Sequence, residues 1–169
     1  MTIDQAALGN AVKTVAAAAH ADDPAALYRA VMPPAGTDTP PAEAAAWFGT
    51  LLIRLALAAA ASSGLERGCP RETVSGWIKE VLGPPPSPAL LRAADPGRID
   101  HVEAVSAAAD YSRCHEYAVD LIRLGLAEPD EAPDERGVDA HCAVTNDKRT
   151  RITVMAMLGR LIGVPGERG

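Results

Sequence analysis

Five side chains of this sequence are of the types that bind metal ions: Cys69, Cys114, His115, His141 and Cys142. Zinc accepts cysteine and histidine ligands in any order along a chain, so these residues form a site if the fold brings them together. Their spacing carries no zinc-binding signature, because no C-x-x-C pair occurs. Free cysteines are also commonly buried for packing alone. We therefore expect structural roles and no metal or other cofactor, with a metal site at Cys114, His115, His141 and Cys142 as an alternative.

The segment "RGVDAH", residues 136–141, resembles the loose Arg-x4-His pattern of HEPN-type ribonucleases. So short a pattern recurs by chance in an arginine-rich chain. The sequence contains none of the common nucleophile, zinc-protease or phosphate-loop motifs. An enzyme, metal-dependent or HEPN-like and using His115 or His141, is therefore a third hypothesis behind two non-enzymatic ones.

Residues 66–83, "ERGCPRETVSGWIKEVLG", suggest the second half of a helix-turn-helix. With Gly68 at the turn, Val74 and Trp77 fall at the core positions of that motif. Four polar residues would then face the DNA groove: Arg71, Thr73, Ser75 and Lys79. A DNA-binding regulator using residues 60–80 is thus the second hypothesis.

Charge argues against nucleic acid as the partner. The net charge of −6 repels phosphate backbones at long range. Within the candidate recognition helix, Glu72 and Glu80 cancel Arg71 and Lys79, so no local basic excess compensates. We expect nucleic-acid binding to be the less favoured function.

A second group of cations, Lys148, Arg149 and Arg151, lies near the start of the last predicted helix. Free N–H groups and the helix dipole favour anions there, so the group predicts an anion-binding site. The upstream acidic segment offers an alternative, which we favour: its carboxylates neutralise the cations within the same chain. These carboxylates belong to Glu128, Asp130, Glu131, Asp134, Glu135 and Asp139.

The elements that carry these residues are predicted to be helical throughout. Alanine and leucine dominate and aromatic residues are only 4% of the chain, a composition that favours helices over strands. Because prolines are confined to loops and first helical turns, they divide the chain. We predict a single all-α domain over 1–169, a bundle of six or seven helices. They span about 3–20, 24–31, 40–63, 70–82, 87–94, 98–126 and 148–162, with an optional short helix near 138–146 and loops at 32–41, 83–88 and 128–137.

The long sixth helix carries the segment "YSRCHEYAVD", residues 111–120. At about 100° per residue, Cys114 and His115 lie on an apolar side with Ala118. The charged residues Arg113, Glu116, Asp120 and Arg123 lie on the other side, where they are expected to form surface ion pairs. Cys114 and His115 are therefore expected in the core.

Cysteine usage and the apolar segments predict a cytoplasmic protein. Three cysteines at wide spacing do not indicate a disulfide framework. The first residues lack the basic start of an export signal. The apolar run at 47–61 is shorter than the ~20 residues that cross a bilayer, so we expect a core helix and no membrane.

The last helix leads to the favoured function. Ile152, Met155 and Leu158 lie along one side, and Val154 and Met157 along another, so its apolar sector is wide. Such a helix is enclosed by its own domain or covers a partner. We expect a homodimer through 148–162 and a non-enzymatic protein that acts through protein contacts as a regulator, adaptor or assembly component.

Overall fold

Helices make up most of the chain. The structure, a computed structural model, describes residues 3–84 and 101–163, and of residues 101–104 only the backbone. These residues form seven α-helices and no strand, which confirms the all-α prediction. The helices are α1 (Gln5–His20), α2 (Pro24–Val31), α3 (Pro41–Ser63), α4 (Arg71–Leu82), α5 (His101–Gly125), α6 (Glu135–Asn146) and α7 (Lys148–Leu161), with a 3-10 turn at Gly36–Asp38.

Aspartate side chains begin four of these helices. Asp4, Asp23, Asp134 and Asp147 accept hydrogen bonds from backbone N–H groups in the first turns of α1, α2, α6 and α7. Those N–H groups have no partner inside a helix, so each cap removes an unsatisfied donor. Gly64 ends α3 with a φ of 69°, a left-handed conformation that glycine adopts at little cost.

Some predicted boundaries need correction. The sequence predicts a loop through residue 137, whereas α6 begins at Glu135 because Asp134 caps it by accepting the Arg136 N–H at 3.1 Å. The short helix predicted near 138–146 is confirmed as the body of α6. The helix predicted at 87–94, and most of the loop at 83–88, lie outside the described residues.

The last helix, α7, forms the centre of the bundle. It packs against all six other described helices. Four of its side chains have no exposed surface: Val154, Met155, Leu158 and Leu161. Gly159 lets α1 approach closely, since a Cβ there would lie 3.1 Å from the Val15 carbonyl oxygen and 3.0 Å from the Ala19 Cβ. The predicted core of small and aliphatic residues is thus packed at short interhelical distances.

The long helix α5 is covered on more sides than its helical wheel predicts. Cys114 and His115 are buried, as expected. Asp120, predicted to be on the surface, is buried too, with 7% of its side chain exposed. Both α4 and α6 pack against α5, and they bring Arg71 and Arg136 to the Asp120 carboxylate. The ion pairs of Asp120 therefore join α5 to other helices, whereas Arg113 pairs with Asp110 one turn away on α5 itself.

The core helix α3 is open on one side. By length and composition, its 23 residues could cross a bilayer, since the helix extends beyond the predicted run at 47–61. Helices α1, α5, α6 and α7 pack against it, and Leu51, Leu52 and Leu55 have no exposed surface. A narrow face on the opposite side is left uncovered by the described chain.

Candidate functional site

The helix α4 has a packing role that differs from a helix-turn-helix. In that motif the second helix packs on the first and presents its outer side to DNA. Here α4 packs mainly against α5 and α7. Val74, Trp77 and Ile78 form its buried side. The DNA-binding hypothesis requires α4 to pack on the preceding helix, α3. That contact is not the main contact of α4.

Of the four predicted DNA-contacting residues, Arg71 is engaged inside the protein. Its Nε donates to the Asp120 carboxylate at 3.0 Å, and its Nη2 bonds Glu116. The hydrogen bond to Asp120 raises the pKa of Arg71 further above its usual value. Thr73 and Lys79 are exposed, and Ser75 is half-buried.

The exposed side of α4 is electrically mixed. Lys79 lies on the same short helix as the exposed carboxylates of Glu72 and Glu80. The loss of Arg71 to its ion pairs leaves one exposed cation against two exposed acids on this helix. Such a surface does not attract a phosphate backbone.

The predicted metal ligands occupy separate environments. Cys114 and His115 are buried in the core, whereas Cys142 is exposed. His141 is half-buried, and its Nε2 donates to the Gly49 carbonyl oxygen at 2.9 Å. In the part of the chain that the structure describes, no three Cys, His, Asp or Glu side chains converge as metal ligands.

Burial also determines the protonation of the core thiols and imidazole. It raises the pKa of the Cys114 thiol and, to the same effect, that of the half-buried Cys69. Both sulfurs are therefore protonated and poorly nucleophilic. Burial lowers the pKa of His115, so its ring is neutral, and its Nε2 has no hydrogen-bond partner among the described residues.

The two residues of the Arg-x4-His pattern point to different helices. Arg136 approaches Asp120 of α5, with Nε 3.6 Å from the carboxylate oxygen. His141 instead bonds Gly49 of α3. Because the two side chains are directed to opposite neighbours of α6, the structure does not bring them into one site.

The three cations of the predicted anion site do not all come together. Lys148 lies over the Tyr28 ring, with Nζ 5.4 Å from the ring centroid. The Arg151 guanidinium lies 3.7 Å from the Phe48 ring centroid, and burial lowers its pKa. Arg149 is exposed. Lys148 and Arg149 line one open cleft, which the Asp147 carboxylate also lines, and Arg151 lies outside it. An anion there would meet two of the three cations together with an acid.

The amino end of α7 is already capped by a carboxylate. Asp147 accepts the Thr150 N–H at 3.1 Å and the Thr150 hydroxyl, and these hydrogen bonds lower its pKa. The acidic segment at 128–139 makes no ion pair with Lys148, Arg149 or Arg151 within the described residues, so the predicted self-neutralisation is not formed. In that segment, Asp134 pairs with Arg123 at 2.9 Å.

The apolar side of α7, from which we predict a homodimer interface at 148–162, is enclosed by the chain itself. Met155 and Leu158 have no exposed surface, and Ile152 is half-buried. A second copy could reach Met155 and Leu158 only if the bundle opened, whereas Ile152 lines an open cleft with Ala156 and Met157. The homodimer through residues 148–162 stays a prediction, and the buried part of this helix is not available to it.

The helix α3 has an apolar side that the described residues leave open. We call it the outer face, and its residues share one side of the helix and are exposed or half-buried: Ala42, Ala46, Thr50, Ile53, Leu57 and Ala61. Leu57 is 47% exposed, which makes it one of the most exposed large apolar side chains described. The two charged residues of α3, Glu43 and Arg54, are exposed and lie along the edge of the outer face.

An open groove of about 490 Å³ borders the outer face, between α3 and α6. We call it the α3–α6 groove; its lining is Ala45, Ala46, Gly49, Thr50, Ile53, His141 and Thr145. Gly49 makes room for the imidazole, since a Cβ at this position would lie 3.3 Å from the His141 Cε1. The groove is therefore shallow, largely apolar and uncharged along α3.

Sequence reasoning identifies α3 as apolar but misses this surface. A wheel shows that α3 is apolar around most of its circumference, without showing which side its neighbours cover. The pairing of Gly49 with His141 joins residues far apart in sequence, and no local pattern predicts it. One signal in the sequence could have indicated it. The only charged residues of α3, Glu43 and Arg54, mark the side of the helix that faces solvent, and Ile53 and Leu57 lie near that side.

Comparison with known proteins gives no relative: no family model, no curated protein and no solved structure matches this chain.

Proposed function

We propose that this protein acts through protein–protein contacts, as a regulator, adaptor or assembly component, and that the outer face of α3 with the α3–α6 groove is its contact surface. The observation that carries the proposal is a continuous apolar face on a rigid core helix, bordered by a groove. Single exposed apolar residues are ordinary, whereas contiguous ones mark interaction sites. From Ala42 to Ala61 this face extends over about 30 Å of helix.

The groove is suited to binding rather than to catalysis. His141 is the titratable side chain in its lining, and its Nε2 is engaged by the Gly49 carbonyl. The Thr50 hydroxyl is likewise engaged, since it donates to the Ala46 carbonyl oxygen at 2.8 Å. General acid–base or nucleophilic chemistry needs a second group within hydrogen-bond reach of the first. His141 and Thr50 are instead held in place by their hydrogen bonds to backbone carbonyls and line the side of the groove.

The proposal includes a cytoplasmic location. Its support is the state of the cysteines: Cys69, Cys114 and Cys142 are all free thiols, as is usual in a reducing compartment.

Site-specific photo-cross-linking in the native cell tests the contact surface. A photoreactive benzoylphenylalanine in place of Leu57 or Ala46 should give discrete cross-linked products. The same residue in place of Val105, which is 44% exposed on α5, is the matched control and should give none. Products of equal yield at all three positions, or at none, would contradict the proposed surface.

A further inference from the structure

We propose that α4 is an acid-sensitive helix, which leaves its place against α5 when the imidazole of His115 takes up a proton. Three features of the contact between α4 and α5 carry this proposal. They are the burial of His115, the lack of a hydrogen-bond partner for its Nε2 among the described residues, and the positive charges on α4. The contact surface on α3 plays no part in it.

The imidazole of His115 lies in the angle between α4 and α7. On one side of it, Cys114 lines a cleft together with Thr150 of α7. On the other side, Glu116 bonds Arg71 of α4. Because successive residues of a helix point about 100° apart, His115 is directed between these two neighbours. Only 1% of the residue is exposed, so α4 and α7, which also pack against each other, close over it.

The neutral ring is the form that this environment accepts. The Nε2 of His115 has no hydrogen-bond partner among the described residues. The buried side of α4 adds a second such nitrogen, the Nε1 of Trp77, which can only donate. A protonated imidazole donates from both ring nitrogens. Protonation would therefore bury a charge together with an N–H group at which the described residues place no acceptor.

The cations around His115 belong to α4. Burial lowers the pKa of His115 most, and the positive charges of Lys79 and Arg71 lower it further. On α5 itself, Glu116 acts in the opposite direction on this pKa. The other helices packed against α5 are α3, α6 and α7, and no charge on their described residues acts on the ring. Moving α4 away removes both cations from the ring and admits water to it.

The helix α4 can move without unpacking the rest of the bundle. Its buried side consists of Val74, Trp77 and Ile78, whereas seven residues of α7 are buried. The outer side of α4 is exposed, and Gly76 in its middle weakens the helix relative to alanine. Segments with few buried apolar contacts open at a lower free-energy cost than the whole protein. Release of α4 exposes His115 and leaves α1, α3 and α7 packed on one another.

Hydrogen exchange measured by mass spectrometry from about pH 7.5 to about pH 5 tests the proposal. The protection factors of the α4 amides, residues 71–82, should fall by up to about tenfold for each pH unit below 6.5. The physical reason is that the released form binds the proton that the closed form disfavours. The amides of α7 should keep higher protection factors than those of α4 throughout, because α7 stays packed when α4 leaves.

Two pairs of variants identify the groups responsible. His115→Gln removes the titrating ring and should abolish most of the fall, whereas His20→Gln, the matched change of an exposed histidine on α1, should respond like the intact chain. Lys79→Gln, at an exposed site, removes one cation from α4 and should make the fall smaller. Lys13→Gln makes the same change of charge on α1 and should leave the fall unchanged. If His115→Gln does not fold, the two lysine variants decide.

Three results would overturn the acid-sensitive release of α4. Equal protection factors in α4 and α7 at every pH would mean that His115 is exposed only when the whole bundle unfolds. A fall that His115→Gln retains, or that Lys79→Gln and Lys13→Gln change equally, would assign the response to another group. Protection of α4 that does not change with pH would mean that the protonated ring is accommodated in place.

Discussion

Two helices of this protein, α3 and α7, both have wide apolar sectors and differ in their surroundings. Both carry large aliphatic side chains around more than one side. In α7, Leu158 has no exposed surface, because six helices surround it. In α3, Leu57 is 47% exposed, because none of its four neighbouring helices covers that side chain. The helix predicted as an interface is the centre of the core, and the helix predicted as core has the open face.

The difference shows what an apolar sector can and cannot indicate. The width of the sector gives the apolar area that a helix must cover, but not whether the same chain or a partner covers it. That depends on how many helices reach each side. The comparison between α3 and α7 can be tested by making the same substitution in both.

The largest difference is expected for leucine truncation. Leu158→Ala should lower the free energy of unfolding by about 2–5 kcal/mol, because it leaves a cavity in the core. Leu57→Ala should lower it by less than about 0.5 kcal/mol, because the side chain is largely in solvent. Urea denaturation followed by circular dichroism, at a concentration low enough to avoid association, measures both. Equal losses would mean that the two helices are equally enclosed.

Glycine substitution should give a smaller difference. Gly159→Ala places a Cβ 3.1 Å from the Val15 carbonyl oxygen, and backbone cannot move aside easily. Overpacking typically costs about 1–3 kcal/mol. The gain in helix propensity of about 1 kcal/mol offsets part of it, so we expect a net loss of up to about 2 kcal/mol. Gly49→Ala meets the His141 ring at the edge of the groove, where the side chain can shift. Its clash is offset by a gain in helix propensity of about 1 kcal/mol, so the net change should be near zero.

Thermal unfolding of these two glycine variants beside the intact chain provides the measurement. A Gly49→Ala variant less stable than Gly159→Ala would reverse the comparison, because it would place the tighter helix contact at the groove.

The smallest expected effect is the dependence of stability on pH that comes from the buried imidazole of His115. Burial lowers the pKa of His115 below its ordinary value of 6.5, aided by the positive charges of Lys79 and Arg71 and opposed by Glu116. The unfolded chain then binds a proton more readily than the folded chain, so stability is complete above pH 6.5 and declines as the pH falls below it. Urea midpoints at neutral and mildly acidic pH measure the decline.

His115→Gln should make that decline shallower, because the substitution removes the titrating group while keeping a polar side chain of similar reach. An unchanged pH dependence in this variant would show that His115 is not enclosed as its burial indicates.

Local signals account for most of the fold. Asp23 followed by Pro24 predicts the start of α2, and Gly64 predicts the end of α3, because caps and backbone preferences act over a few residues. The wheel of α5 places Cys114 and His115 correctly in the core. These predictions needed only helical geometry.

Tertiary placement accounts for the rest. Asp120 is buried because cations from α4 and α6 reach it, and no pattern within α5 contains that information. The three cations near 148–151 share a sequence neighbourhood, yet aromatic rings on α2 and α3 hold Lys148 and Arg151 apart. The outer face of α3 is defined by where its neighbours are absent, which is likewise a property of the assembled bundle.

The central position of α7 has a consequence for biosynthesis. Helices α1 to α6 leave the ribosome before the helix that packs against all of them. Until residues 148–161 are made, Val15 and Ala19 of α1 have no Gly159 surface to pack on. Native packing of most of the core therefore waits until α7 has been made, and the shorter nascent chain exposes apolar surface until then. A message truncated before codon 148 would encode an aggregation-prone product instead of a smaller stable bundle.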